Sequence, residues 1–175
     1  MNKREIDDAL KKIARGDNCA LGRLYEETKR GVYAFLFSYF NSKEDCEDAM
    51  QTTFLKVKQN AAQYSSGNGL AWILQIAKNV ALNELRAKTN REKLQAEAAK
   101  NGSAVVAEPH VGGTLMDIMK KVLDEDEQRI VVLHAVAGYK HKEIAKFLNC
   151  PVGTVTSKYK RAADKLKSAY EEERL

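Results

Sequence analysis

Few residues in this chain would bend, staple or anchor it. Two prolines and ten glycines among 175 residues leave long stretches without a breaker, which favours helices over a loop-rich all-β fold. Three cysteines, at 19, 46 and 150, form no CxxC pair. That argues against a disulfide framework and a zinc ribbon, and it fits a reducing compartment. The apolar runs fall far short of 18 residues, so no segment is expected to span or insert into a membrane. The opening Met-Asn-Lys-Arg-Glu leads into charge, unlike an apolar signal core. Net charge is small as well. Lys plus Arg number 29 and Asp plus Glu 24, and the resulting +5 cannot separate a DNA binder from any basic soluble protein.

What is present is apolar material, at 44% of residues, enough for a packed core and too much for a disordered chain. The charge is also unevenly placed. Glu44-Asp45-Cys46-Glu47-Asp48 carries −4 within five residues, whereas 156–167 carries +4. An acidic and a basic cluster point to two different partners, or else to two solvated helix faces.

Apolar spacing expects helices almost throughout. Ile6, Leu10 and Ile13 form one stripe before Gly16. Leu21, Leu24 and Tyr25 begin the next, continued by Val32, Tyr33, Leu36, Phe37 and Phe40. Asn41-Ser42 interrupts it, and Ser42 with Asp45 resembles a capping box. Cys46, Ala49, Met50, Phe54 and Val57 share another face, and residues 64–69 read as a loop. Ile73, Ile76, Ala77, Val80 and Leu85 face inward on a long helix expected to fray near Thr89-Asn90. Residues 89–114, with Asn101-Gly102, Pro109 and Gly112-Gly113, form the expected linker, although 91–100 could be helical. As a coil it would span roughly 27 Å, and fully extended about 85 Å. Beyond it, Thr114 with Asp117 and Asp124 with Glu127 resemble capping boxes. Leu115, Ile118, Met119 and Val122 form one stripe, and Ile130, Val131, Leu133 and Ala137 another that ends at Gly138. The expected fold is therefore all-α: two small helical domains, 1–88 and 115–175, joined by a linker at 89–114.

The strongest local pattern lies at 141–160. Ile144 and Leu148 give a short helix its buried face, and Ala145 is small where two helices must approach. Asn149 tolerates a left-handed backbone, and Pro151 suits the first turn of a new helix. Val155, Tyr159, Ala162 and Leu166 line that helix inside. Thr154, Thr156, Ser157, Lys158, Lys160 and Arg161 line it outside, with side chains suited to phosphates and base edges. This is a helix-turn-helix, more than an ordinary hairpin with a solvated Lys-rich face.

Three motifs in this order resemble the extracytoplasmic-function (ECF) class of bacterial sigma-70 factors. E-D-A-M-Q-T-T-F at 47–54 is similar to the family's E-D-x-x-Q-x-x-F helix. A-W-I-L-Q-I-A-K-N-V-A-L-N-E-L-R at 71–86 is similar to its Trp-bearing helix. C-P-V-G-T-V-T-S-K-Y-K-R-A at 150–162 is similar to its recognition helix. The resemblance covers most of the chain and implies a non-enzymatic subunit of transcription initiation. It implies that Glu47, Asp48 and Gln51, extended by Glu44 and Asp45, dock on the β′ clamp helices of core RNA polymerase, with the β flap as a further contact. Negative charge there suits a basic partner and repels promoter phosphates. It implies that the loop containing Tyr64 and Asn68, with Trp72 and Asn79, receives a flipped base of the melted −10 non-template strand, with Lys78 and Arg86 on the backbone. Trp72 could equally be core, and Phe54 is expected in the core. Thr154, Thr156, Ser157, Lys158, Lys160 and Arg161 would read −35 duplex in the major groove. The family usually has Gly at Asn149, Arg at Lys158 and Asp at Asn83. Lys cannot form the bidentate fork that Arg makes to guanine. The segment before Leu21 resembles the family only in pattern. An anti-sigma factor, often membrane-anchored, is a further implied partner of an otherwise cytoplasmic chain, and polymerase would hold the linker extended.

An alternative is a stand-alone helix-turn-helix regulator binding duplex DNA without polymerase, although the acidic helix and Trp motif would then have no task. A helical adaptor binding only protein is a third class. An enzyme is disfavoured: His110, His134 and His141 have no metal-ligand spacing, and no phosphate loop or G-x-S-x-G elbow is present. No cofactor or metal is expected. The three cysteines read as small buried apolar residues.

Overall fold

The computed structural model describes residues 1–40, 42–98 and 115–172. Among these there are eight α-helices and no strand: α1 Lys3–Ala14, α2 Asn18–Phe37, α3 Lys43–Asn60, α4 Gly69–Ala98, α5 Leu115–Val122, α6 Glu125–Val131, α7 His141–Leu148 and α8 Val152–Glu172. The chain divides into two compact units, Met1–Glu108 and Pro109–Leu175.

In the first unit, α1 begins at a full capping box. Asn2 Oδ1 accepts from the Glu5 N–H at 3.0 Å, and Glu5 accepts from the Asn2 N–H at 2.8 Å. Its stripe of Ile6, Ala9, Leu10 and Ile13 is buried, as the 4–3 spacing requires. Gly16, at φ +90°, turns the chain into α2, which Asp17 caps through the Ala20 N–H. Ser42 caps α3 through the Asp45 N–H at 3.2 Å, but the Asp45 carboxylate meets Lys88 at 3.2 Å rather than closing the expected box. The Ser42 hydroxyl also donates to Glu44 at 2.8 Å. Leu10, Leu24, Phe35, Leu36, Val57, Ile73 and Leu74 are fully enclosed, each contributing about 1.5–3 kcal/mol of burial. Phe54 is buried and meets Tyr25 edge-on at 4.9 Å, so it is a core residue.

Two expectations need correction here. Helix α4 does not fray at 89–90 but continues to Ala98, because 91–98 holds no Gly or Pro and is built of good helix formers. The expected linker therefore begins as helix, and 99–114, with the Thr114 box, lies outside the described residues. Of the three cysteines only Cys46 is fully buried. Cys150 is partly covered, and Cys19 is exposed in the first turn of α2.

In the second unit, Asp124 and Glu127 form the expected capping box at α6. The stripe that follows is not a plain α-helix. Residues Val132–Val136 form a π-turn, with the Ala137 N–H donating to the Val132 carbonyl at 3.1 Å, before Gly138 ends the run at φ +72°. Helices α7 and α8 form the helix-turn-helix. Asn149 is left-handed (φ 56°, ψ 51°), and the Cys150 N–H donates to the Ala145 carbonyl at 2.9 Å. Pro151 lies just outside α8, and its carbonyl accepts from the Val155 N–H at 3.2 Å. Ile130, Leu133, Ile144, Val155 and Ala162 make the core of this unit.

Candidate nucleic-acid interface

Helix α8 presents its polar residues in three directions, because eight positions at about 100° each go all the way round a helix. Val155 and Ala162 face the core. Ser157, Lys160 and Arg161 lie on the opposite, exposed side. Thr156 lies toward α7, where its hydroxyl donates to the Val152 carbonyl at 3.0 Å and stands 3.2 Å from His141 Nδ1. Thr154 is half-buried. Lys158 turns toward α6, with its side chain only 19% exposed. Its Nζ lies 2.6 Å from Asp126 and 3.8 Å from Asp124. The Asp126 hydrogen bond holds the ammonium above its ordinary range, and the Lys158 bond holds that carboxyl below its own. So of the six expected contacts, Ser157, Lys160 and Arg161 share an open face, while Lys158 is engaged within its own domain.

Glu127 was visible in the sequence only as a cap, yet it organises this face. Its side chain is 1% exposed and receives Lys165 at 2.7 Å, with Arg161 Nε at 3.9 Å. Four consecutive carboxylates, 124–127, sit beside the +4 stretch of the same unit. The run of four carboxylates was the available signal in the sequence. The expectation of one acidic and one basic cluster for two partners missed this second acidic run.

An aromatic cluster ties α7 to α8. The rings of His134, His141 and Tyr159 lie 4.6–5.1 Å apart, and His134 Nδ1 stands 2.7 Å from the Tyr139 carbonyl oxygen. Both histidines pack, and among the described residues no His, Cys, Asp and Glu group could hold a metal ion.

In the first unit, α4 carries Trp72, Lys78, Asn79 and Arg86 of the residues expected at −10. Positions 72, 75, 79, 83 and 86 fall within about 80° of arc on one helix face. Asn79, Asn83 and Arg86 are exposed, and Gln75 donates to Asn79 Oδ1 at 3.2 Å. Trp72, Asn79 and Arg86 are thus brought together, with Gln75 and Asn83 added to the stripe. Lys78 lies about 100° away from Asn79 around the helix and does not join it. Trp72 is half-buried, its ring 5.4 Å from that of Tyr64, so neither extreme reading describes it. Tyr64 and Asn68 are not free contact groups. Tyr64 is buried and donates to Asp7 Oδ1 at 2.6 Å, and Asn68 Oδ1 accepts from the Ala71 N–H at 3.2 Å, capping α4. Burial, then the Asp7 bond, raise the Tyr64 phenol far above its usual range, keeping it a donor.

The acidic residues stand on α3. Glu44, Glu47, Asp48 and Gln51 are exposed, and Asp45 is half-buried with its carboxylate 3.2 Å from Lys88. A groove between α3 and α4 is lined by Asp45, Asp48, Gln51, Leu55, Glu84 and Lys88 among others. Leu55, 56% exposed, was missed by the sequence reading. An apolar residue off the buried stripe was the only signal for it.

Comparison with known proteins joins these surfaces. Residues 24–91 match Sigma-70 region 2, and residues 119–166 match Sigma-70 region 4. The chain is 28% identical over 184 residues to an ECF RNA polymerase sigma-E factor of Haemophilus influenzae, covering 96% of this chain and 97% of that protein. It is 25% identical over 174 residues to the ECF RNA polymerase sigma factor SigK of Mycobacterium tuberculosis, covering 94% and 92%. Among solved structures, the fold is similar to the sigma factor RpoE bound to the anti-sigma factor NepR from Bartonella quintana (TM-score 0.62, 20% identity, 85% and 97% covered). It is also similar to CnrH bound to the cytosolic domain of CnrY (TM-score 0.63, 18% identity, 96% and 98% covered). With region 2 and region 4 matched in order along one all-α chain, this protein belongs to the sigma-70 family, in its ECF class.

Proposed function

We propose that this chain is a promoter-specificity subunit: it binds core RNA polymerase, reads −35 duplex with α8 and captures the melted −10 non-template strand beside α4. The observation that carries this reading is the presence in one chain of a cationic recognition helix and a separate unit with an acidic helix and a polar Trp–Asn–Arg stripe. A stand-alone helix-turn-helix regulator gives that first unit no task and is not favoured.

Exposed Glu47, Asp48 and Gln51, with Asp45, Glu44 and the apolar Leu55 beside them, suit the basic clamp helices of β′. Ser157, Lys160 and Arg161 suit a major groove, with Thr154, Thr156 and Lys158 at its margins. Asn79 both donates and accepts, which suits a flipped base. The segment between α4 and α5 connects the two reading units. The protein acts in the cytoplasm without catalysis of its own. RpoE is bound to the anti-sigma factor NepR and CnrH to the cytosolic domain of CnrY in their solved structures, and an anti-sigma partner is expected here.

Run-off transcription tests the reading. Core polymerase with this protein should give specific transcripts from its promoter, and core alone should give none. Equal initiation without the protein would remove the proposal.

A further inference from the structure

The six residues from Tyr64 to Gly69 are pinned at both ends by one oxygen atom. Asp7, half-buried on α1, accepts the Tyr64 hydroxyl at 2.6 Å and the Gly69 N–H at 2.8 Å through the same Oδ1. The two donors lie 57 and 62 residues away in sequence. Gly69 is where α1 and α4 press together. A Cβ there would come within 2.7 Å of Ile6 Cγ2 and 2.8 Å of both Asp7 Oδ1 and Leu10 Cδ1. Between the two anchors, Ser65, Ser66 and Gly67 are exposed, and Gly67 takes φ +125°. Asn68 is fixed to the first turn of α4, and the Tyr64 ring packs on Trp72. The loop therefore has fixed ends, an open tip and the Trp72–Asn79 stripe beside it.

We propose that Asp7 is a positioning residue for single-strand capture: from α1 it sets the 64–69 loop against Trp72, so that the site receiving the flipped base exists before DNA arrives. The inference rests on the −10 reading given above, and it assigns a task to the amino-terminal helix. A loop ordered in advance loses less freedom on binding, so the gain appears as affinity for the strand. A carboxylate is the right group, because it offers strong acceptance to two donors and its charge complements the amino-terminal end of α4.

The test compares full-length wild type with Asp7→Ala, Asp7→Asn, Tyr64→Phe and Ile13→Val, each assembled with core polymerase. Ile13 is buried on the same helix, about 9 Å further along it than Asp7, so Ile13→Val controls for general destabilisation of α1. The probes are a single-stranded oligonucleotide carrying the −10 non-template sequence and a −35 duplex. Hydrogen exchange at the Gly69 amide is followed in parallel. Asp7→Ala should weaken binding of the single strand by about tenfold and speed Gly69 exchange, with −35 duplex and core binding within about twofold of wild type. Asp7→Asn, which keeps an acceptor, should recover most of that loss, and Tyr64→Phe should fall between. Unchanged strand binding in Asp7→Ala, or an equal loss in Ile13→Val, overturns the proposal. Failure of wild-type holoenzyme itself to bind the strand overturns the −10 reading and the proposal with it. Because that outcome appears in the wild-type arm, it is distinguishable from failure of Asp7 alone.

Discussion

The ammonium of Lys158 lies 2.6 Å from the carboxylate of Asp126, a residue 32 positions earlier in the chain. A cation expected at the base edges is thus already paired inside its own domain. Asp126→Asn should release it and remove a negative charge near DNA. Duplex affinity of the holoenzyme should rise by about threefold, and the slope of log K against log salt should steepen by about one. Fluorescence anisotropy of a −35 duplex across a salt series checks both.

The same pair gives a pH signature. Asp126 has a lowered pKa, so its contribution is present above the ordinary carboxylate range and is lost as pH falls through the lowered value. Lys158 has a raised pKa, so its contribution is complete below the ordinary ammonium range and is lost as pH rises through the raised value. The stability difference between wild type and Asp126→Asn should be flat from about pH 5 to 9 and shrink in stronger acid. It should not exceed about 1 kcal/mol, since the Asp126 side chain is 58% exposed and solvent screens it. Urea unfolding at several pH values reads it.

The acidic face of α3 should be separable from DNA reading. Glu47 and Asp48 are exposed, so Glu47→Lys with Asp48→Lys should leave the thermal midpoint nearly unchanged. Affinity for core polymerase should fall by more than about tenfold, as reversed charges meet a basic partner. Binding assays with core enzyme, beside circular dichroism melts, make the comparison.

Two helical glycines should respond with opposite sign. Gly69→Ala places a methyl among Ile6, Asp7 and Leu10 and should cost about 1–3 kcal/mol. Gly22, inside α2, meets nothing within 4 Å, so Gly22→Ala should stabilise by about 0.5–1 kcal/mol. Chemical denaturation of both variants tests the close approach of α1 to α4.

The turn at Asn149 makes a further distinction. At φ 56°, Ala is disfavoured and Gly is free, so Asn149→Ala should lose about 1 kcal/mol and Asn149→Gly should be neutral or better. Differential scanning calorimetry suffices.

Much of this protein was written locally. The stripe of Ile6, Leu10 and Ile13, the caps at Asp124 and Ser42, left-handed Asn149 and the buried face of α8 each depend on residues about three or four apart. The sequence therefore determined the helices, the helix-turn-helix and the exposed carboxylates of α3. It did not show that Asp7 holds Tyr64 and Gly69, that Lys158 faces Asp126, or that Val132–Val136 opens into a π-turn. The two sets of bonds join groups 32 to 62 residues apart, and no periodicity encodes them. Only packing decides which of several equally polar residues come within 3 Å of one another. That is why the tertiary structure, and not the motif, chose which of the expected contact residues remain exposed.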